Sequence, residues 1–267
     1  AQEYRLGFAG TAWADGEIFE DKCQLGLGNV TRSYQVALMR FALSDEGRIE
    51  ATPGALGRCP SCNAEMLARC GIKKVWHWAH RGRRHCDPWW ENETEWHREW
   101  KNRFPPDWHE VLARDASGEL HIADIKTPYG LVIEFQHSAI KPDEVWKRTN
   151  FYDQIIWIID GKRRATDQTQ HERMLSEHFP QRFDGVDIYT VYSEETRLLK
   201  DWGSLGRIVG FDFGGDSLCL LTAIQGRSRY LFDFPKADFA RLVTEGKPLP
   251  VVLFVKPEPR GYRRRRF

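Results

Sequence analysis

Two acids interrupt otherwise apolar stretches near the middle of the chain. Asp124 lies in Glu119-Leu120-His121-Ile122-Ala123-Asp124-Ile125, and Glu134 in Leu131-Val132-Ile133-Glu134-Phe135-Gln136. An ionised carboxylate among Ile and Val is costly unless something compensates it. The intervening Thr127-Pro128-Tyr129-Gly130 reads as a turn and the two stretches as a hairpin. With the turn centred on Tyr129, Asp124 faces Glu134 across the strands, their Cβ atoms roughly 4.5–5.5 Å apart. Gln136 shares the face of Glu134, because side chains alternate along a strand. Two carboxylates that close repel, and Mg²⁺ or Mn²⁺, which takes oxygen ligands, would relieve the repulsion. The alternative is a pair of half-exposed strand acids bridged by Lys126 or Arg148.

A helix must bring further groups to that hairpin. Pro88 precedes an amphipathic segment, Glu91 to Phe104, which Pro105-Pro106 closes; proline near the start and a proline pair at the end are helix boundary signals. Within it Glu93, His97 and Lys101 recur every four residues and so line one face. Glu93 is a candidate third oxygen ligand or holder of a metal-bound water. His97 suits acid–base work or a contact to the scissile phosphate, and Lys101 suits charge neutralisation on a phosphate. A solvated Glu–His–Lys ladder is the competing reading. Arg148 and Tyr152 have the same spacing on a second helix, Pro142 to Asp153, and are candidate nucleic-acid contacts.

Upstream, Cys59-Pro60-Ser61-Cys62 is followed by His77-Trp78-Ala79-His80 and His85-Cys86. Structural zinc takes four Cys/His ligands, and a C-x₂-C knuckle supplies two of them. The favoured set is Cys59, Cys62, His80 and Cys86, with His77 as substitute and Cys70 as a further candidate. The basic run Arg81-Gly82-Arg83-Arg84 and a tail containing Arg263 and Arg264 are candidate phosphate contacts, or plain solvated surface. Of the eleven tryptophans, Trp76, Trp78, Trp89, Trp90 and Trp96 fall together. They read either as a small local core or as rings that stack on bases.

A net charge of +1 gives no bulk positive field. The N-terminal region lacks the apolar run of a secretory signal, and no stretch approaches the roughly 20 apolar residues of a membrane span. A reducing, cytosolic setting without membrane attachment is therefore expected, in which clustered cysteines point to metal. Around the hairpin, the continuous apolar run Ile155 to Ile159 reads as a fully buried strand, and Val186 to Tyr192 as another. Three strand-like runs follow between 207 and 234, then a short helix from Lys236 to Glu245. The expected organisation is a β-rich segment at 1–57, a zinc module at 58–90, an α/β core at 91–194, a β-rich accessory region at 195–259 and a basic tail at 260–267.

The ordered series of these motifs, from Arg58 to Gly161, resembles the competence protein CoiA-like nucleases. The resemblance rests on Cys59-Pro60-Ser61-Cys62, His77-Trp78-Ala79-His80, Glu93-Thr94-Glu95-Trp96-His97 with Lys101, and His121-Ile122-Ala123-Asp124-Ile125. Val132-Ile133-Glu134-Phe135-Gln136-His137-Ser138, and Arg148 with Tyr152, complete it. It implies a bacterial, cytoplasmic branch of the PD-(D/E)xK nuclease superfamily with an αβββαβ core. On that resemblance Asp124 and Glu134 are the principal Mg²⁺ ligands, Glu93 is the helix acid, and DNA is the expected partner. Gln136 stands where the superfamily usually has lysine, so the lysine's role would fall to Lys101, Lys126 or His97. The same departure motivates the alternative of a non-catalytic nucleic-acid-binding or recruiting protein. The C-terminal region is the expected surface for a protein partner or a second copy.

Overall fold

The computed structural model describes residues 38–81, 87, 89, 93–115, 117–222 and 229–249. The chain divides into two compact units, Ala1–Pro128 and Tyr129–Phe267.

In the first unit, β1 (Leu38–Met39), β2 (Phe41–Ser44), β3 (Gly47–Glu50), β4 (Leu56–Arg58), β5 (Glu65–Arg69) and β6 (His77–His80) form one antiparallel sheet in the order β1-β6-β5-β4-β2-β3. The expected boundary at 57/58 falls inside this sheet, so the Cys/His stretch shares its strands with the residues before it. Met39, Ala42, Ala51, Cys59, Met66, Trp78 and Ile122 make one buried cluster, against which Cys70 packs. Trp78 fills its middle and donates its indole N–H to the Ile49 carbonyl at 3.1 Å. Gly57 makes room for it: a Cβ there would stand 2.7 Å from that of Ala42 and 3.1 Å from the Trp78 ring.

Helix α1 (Glu95–Lys101) is shorter than the 91–104 expected. The Thr94 hydroxyl accepts from the His97 amide and starts the helix there, leaving Glu93 outside it. Pro106 opens a short 3₁₀ turn, and the chain then enters β7 (His109–Arg114), a strand the sequence reading does not contain. β7 pairs antiparallel with β8 (Leu120–Lys126).

The second unit holds β9 (Leu131–Gln136), α2 (Pro142–Phe151), β10 (Gln154–Asp160), α3 (Ala165–Glu177), β11 (Gln181–Phe183), β12 (Val186–Val191), α4 (Arg197–Trp202), β13 (Ile208–Asp212), β14 (Ser217–Leu221), β15 (Arg229–Pro235) and α5 (Lys236–Thr244). Its strands run in the order β11-β12-β15-β14-β13-β10-β9. β10 is the hub, parallel to β9 on one side and to β13 on the other. Its near-continuous apolar run is what a strand covered on both faces requires. Trp157 on β10 donates to the Thr149 hydroxyl at 3.0 Å and packs on Trp202, which fixes α2 and α4 over the same face. The stretch expected as an accessory region from 195 onward is therefore continuous with the β10 sheet.

From α1 to β10 the elements follow one another as α-β-β-β-α-β along the chain. The molecule is mixed α/β, and none of its described helices is long and apolar enough to cross a membrane.

Candidate functional site

The turn between β4 and β5 is built as a metal knuckle. The Cys59 amide donates to the Ala64 carbonyl and the Asn63 amide to the Cys59 carbonyl, both at 2.9 Å, while Asn63 takes a left-handed φ of 57°. Asparagine tolerates that conformation better than most residues. The loop thus folds back and presents Cys59 and Cys62 together, and His80 at the end of β6 completes a group whose ligand atoms all lie within 4.8 Å of one another. Cys62 Sγ and His80 Nε2 are 3.3 Å apart. Tetrahedral zinc, with bonds of about 2.3 Å to sulfur and 2.0–2.1 Å to nitrogen, needs ligand separations of this size, so the donor set fits zinc. Cys86, the expected fourth ligand, lies outside the described residues. His77 does not serve as substitute. Three residues from His80 on one strand, it points to the opposite face, and its Nδ1 is 2.7 Å from the Val75 carbonyl. Burial lowers the His77 pKa, against a smaller opposing effect of that bond. Cys70 is absorbed by core packing.

Asp87 connects this region to β8. Its Oδ1 lies 2.9 Å from His121 Nδ1, and its Oδ2 accepts the Ile122 amide at 2.7 Å. The other nitrogen of His121 is 2.9 Å from Glu119, and the Trp89 ring stacks flat on the imidazole. His121 therefore ties the start of β8 to Asp87 and Trp89. Of the other clustered tryptophans, Trp78 is core, and Trp76 is exposed. Trp90 lies outside the described residues.

The expected Glu93 and Lys101 do come together with Asp124, but not as an open helix face. The Lys101 side chain is 1% exposed, and its Nζ meets Glu93 Oε2 at 2.8 Å, Asp124 Oδ1 at 3.1 Å and Glu110 Oε1 at 3.3 Å. Burial by itself would lower the Lys101 pKa; the three carboxylates, Glu93 foremost, outweigh it and raise the value well above the ordinary lysine range. Lys101 is thus a buried counter-ion of carboxylates, where neutralisation of charge on a phosphate was expected of it. His97 is also buried, with Nδ1 2.8 Å from the Thr94 hydroxyl in the helix cap. Asp124 keeps the most accessible carboxylate of the cluster, its side chain 17% exposed.

Glu110 is the acid the sequence reading missed. It lies between the registered pairs His109–Ile125 and Val111–Ala123, opposite Asp124 across β7 and β8. Its φ of 48° is left-handed, a conformation costing a non-glycine residue about 1–3 kcal/mol. Its carboxylate accepts the Arg40 amide at 2.8 and 3.1 Å and the Phe41 amide at 3.0 Å. Burial raises the Glu110 pKa, against the opposing effect of Lys101.

In the second unit, Glu134 and Gln136 point to one face of β9, as alternation requires. Glu134 Oε2 is 3.7 Å from Arg148 Nη1, and Arg148 also pairs with Glu144 one helical turn away. Arg148, beside the acid, is buried, and so is Tyr152. Gln136 is 2% exposed and donates through Nε2 to the Ser138 carbonyl at 3.1 Å. Its Oε1 is buried with no hydrogen-bond partner among the described residues. An orphaned buried oxygen of this kind is one that a cation or its bound water satisfies. His137 Nδ1 lies 2.7 Å from Asp160 at the end of β10. Among the basic candidates, Arg81 is exposed and paired with Glu65 at 3.2 Å. Arg83, Arg84, Arg263 and Arg264 lie outside the described residues.

Two comparisons with known protein families bear on the class of protein that carries a zinc-fitting knuckle upstream of these strand-borne acids. The model of the competence protein CoiA N-terminal domain matches residues 58–88, which hold the knuckle, and that of the CoiA nuclease-like domain matches residues 122–200, which hold Asp124, Glu134 and Gln136. The two matches, in that order along the chain, support a CoiA-family protein. No curated protein and no solved structure matches it.

Proposed function

We propose that this chain is a Mg²⁺-dependent nuclease of the PD-(D/E)xK type that hydrolyses phosphodiester bonds of DNA. The observation that carries the reading is the nuclease-like domain match across Asp124, Glu134 and Gln136. A fixed Asp124 carboxylate in the first unit and an orphaned Gln136 oxygen in the second support it. Asp124 and Glu134 would hold the ion, and Gln136 Oε1 would add an oxygen. Bound there, Mg²⁺ or Mn²⁺ lowers the pKa of a water and neutralises charge on the phosphate. Glu93 and Lys101 keep Asp124 oriented, and Arg148 does the same for Glu134. The Cys59, Cys62 and His80 knuckle holds zinc in a structural role.

Cleavage of single- and double-stranded DNA, with and without EDTA, tests this. Asp124→Ala and Glu134→Ala should each abolish Mg²⁺-dependent cleavage with the fold retained; full cleavage by both would refute the assignment. The second reading, a nucleic-acid-binding protein on a degenerate nuclease scaffold, is motivated by Gln136. A neutral amide cannot supply the charge of a lysine, and the buried Lys101 faces carboxylates instead. DNA binding without cleavage, unchanged in both variants, would favour it.

A further inference from the structure

We propose that Glu110 is a positioning residue for metal binding: it holds the Lys101 ammonium partly away from Asp124, so that Asp124 can accept a divalent cation. The inference rests on the reading of Asp124 as a metal ligand. An ammonium 3.1 Å from Asp124 Oδ1 is an internal competitor for any ion that carboxylate would bind. Lys101 cannot rotate out to water, because its side chain is 1% exposed. What limits its grip on Asp124 is the pull of its other two partners, Glu93 at 2.8 Å and Glu110 at 3.3 Å.

Of those two, Glu110 is the one anchored to the backbone. Three hydrogen bonds from the Arg40 and Phe41 amides fix its carboxylate. Its left-handed backbone sits at the position opposite Asp124. Non-glycine residues in that region persist where the surrounding structure over-determines them, and here the surroundings are the same three hydrogen bonds and the ion pair. A chain of contacts therefore runs from the β1–β2 junction through Glu110 and Lys101 to Asp124. Three carboxylates share the Lys101 ammonium and the Arg98 guanidinium, 3.5 Å from Glu93, which leaves the cluster with an excess of one negative charge that favours a further cation.

Titration of the full-length chain with Mn²⁺ alone, read by electron paramagnetic resonance, tests the proposal beside the Mg²⁺ dependence of DNA cleavage. Glu110→Gln should weaken Mn²⁺ binding by about tenfold or more, the usual size for loss of a group that orients a metal ligand. The Mg²⁺ concentration for half-maximal cleavage should rise with it, while the KM for DNA stays unchanged. Lys101→Met and the double variant Lys101→Met/Glu110→Gln complete the cycle. If Glu110 acts through Lys101, its substitution has no further effect once the lysine is gone. A full Glu110 effect in the Lys101→Met background, or unaltered Mn²⁺ binding in Glu110→Gln, would overturn the proposal while leaving the nuclease reading intact. A wild-type chain that neither binds Mn²⁺ nor cleaves DNA overturns both. Should Glu110→Gln not fold, Glu110→Asp carries the test, since it keeps the charge, shortens the reach and should shift the metal requirement the same way.

Discussion

Replacing Lys101 by methionine removes one cation from three carboxylates and keeps most of the side-chain volume. Glu93 and Glu110 are each 1% exposed at the side chain, so little water reaches them in compensation. Breaking a buried ion pair by deleting one partner costs about 3–5 kcal/mol, and Arg98, 3.5 Å from Glu93, replaces only part of what is lost. At about 2–4 °C per kcal/mol for a chain of this size, the melting temperature should fall by about 6–20 °C. The pH dependence gives the sharper test. Burial already raises the Glu110 pKa above its ordinary 4.5 in the presence of Lys101, and without the lysine it rises further. An acid whose folded pKa exceeds the unfolded value contributes stability below the unfolded pKa and loses it as pH rises through the folded one. The deficit of Lys101→Met should therefore be small near pH 4.5 and grow toward neutral and alkaline pH. Urea unfolding followed by tryptophan fluorescence at pH 5, 6.5 and 8 measures it. A loss below about 1 kcal/mol at pH 8, or one of equal size at pH 5 and pH 8, would refute the view of Lys101 as the counter-ion of this cluster.

Two further outcomes follow from other parts of the structure. Purified protein should carry stoichiometric zinc by elemental analysis; Cys59→Ser with Cys62→Ser should lose it and loosen the core shared by Cys59 and Trp78, seen as a red-shifted tryptophan emission. A metal-free wild type with normal stability would remove the zinc assignment. Burial lowers the His171 pKa from 6.5 to about 4, where its ring stacks on Phe213. A base depressed in this way adds stability above pH 6.5 that is lost as pH falls toward 4, on the order of 2–3 kcal/mol. His171→Leu should flatten the stability profile across that window, and an unchanged slope would count against burial as the cause.

Much of the second unit was legible because its signals are local. The unbroken apolar run of β10, the proline at the start of α2 and the alternation of β9 each announce their element within a few residues. The knuckle was legible for the same reason, since Cys59 and Cys62 are joined by one tight turn. β7 was not. His109-Glu110-Val111-Leu112-Ala113-Arg114 shows no clean alternation, and Glu110 has a left-handed backbone inside the strand. Missing β7 meant missing the acid opposite Asp124, and with it the reason Lys101 is buried. Glu93 and Lys101 do meet, but spacing alone does not distinguish a solvent-facing ladder from a desolvated ion cluster. Likewise His77 resembles a metal ligand in the text of the sequence, and only its strand parity with His80 removes it.

The pairing of β13 with β10 bears on what counts as the smallest self-sufficient piece of this chain. The recognisable nuclease-like stretch ends at residue 200, yet the neighbour that covers one flank of β10 begins at Ile208. A fragment cut at the end of the recognisable stretch would present the peptide groups of Ile156 through Asp160 as an unpaired edge, flanked by apolar side chains. Such an edge is a template for strand addition by another copy. The β13–β15 region works here as a built-in protective strand set, whatever else it binds.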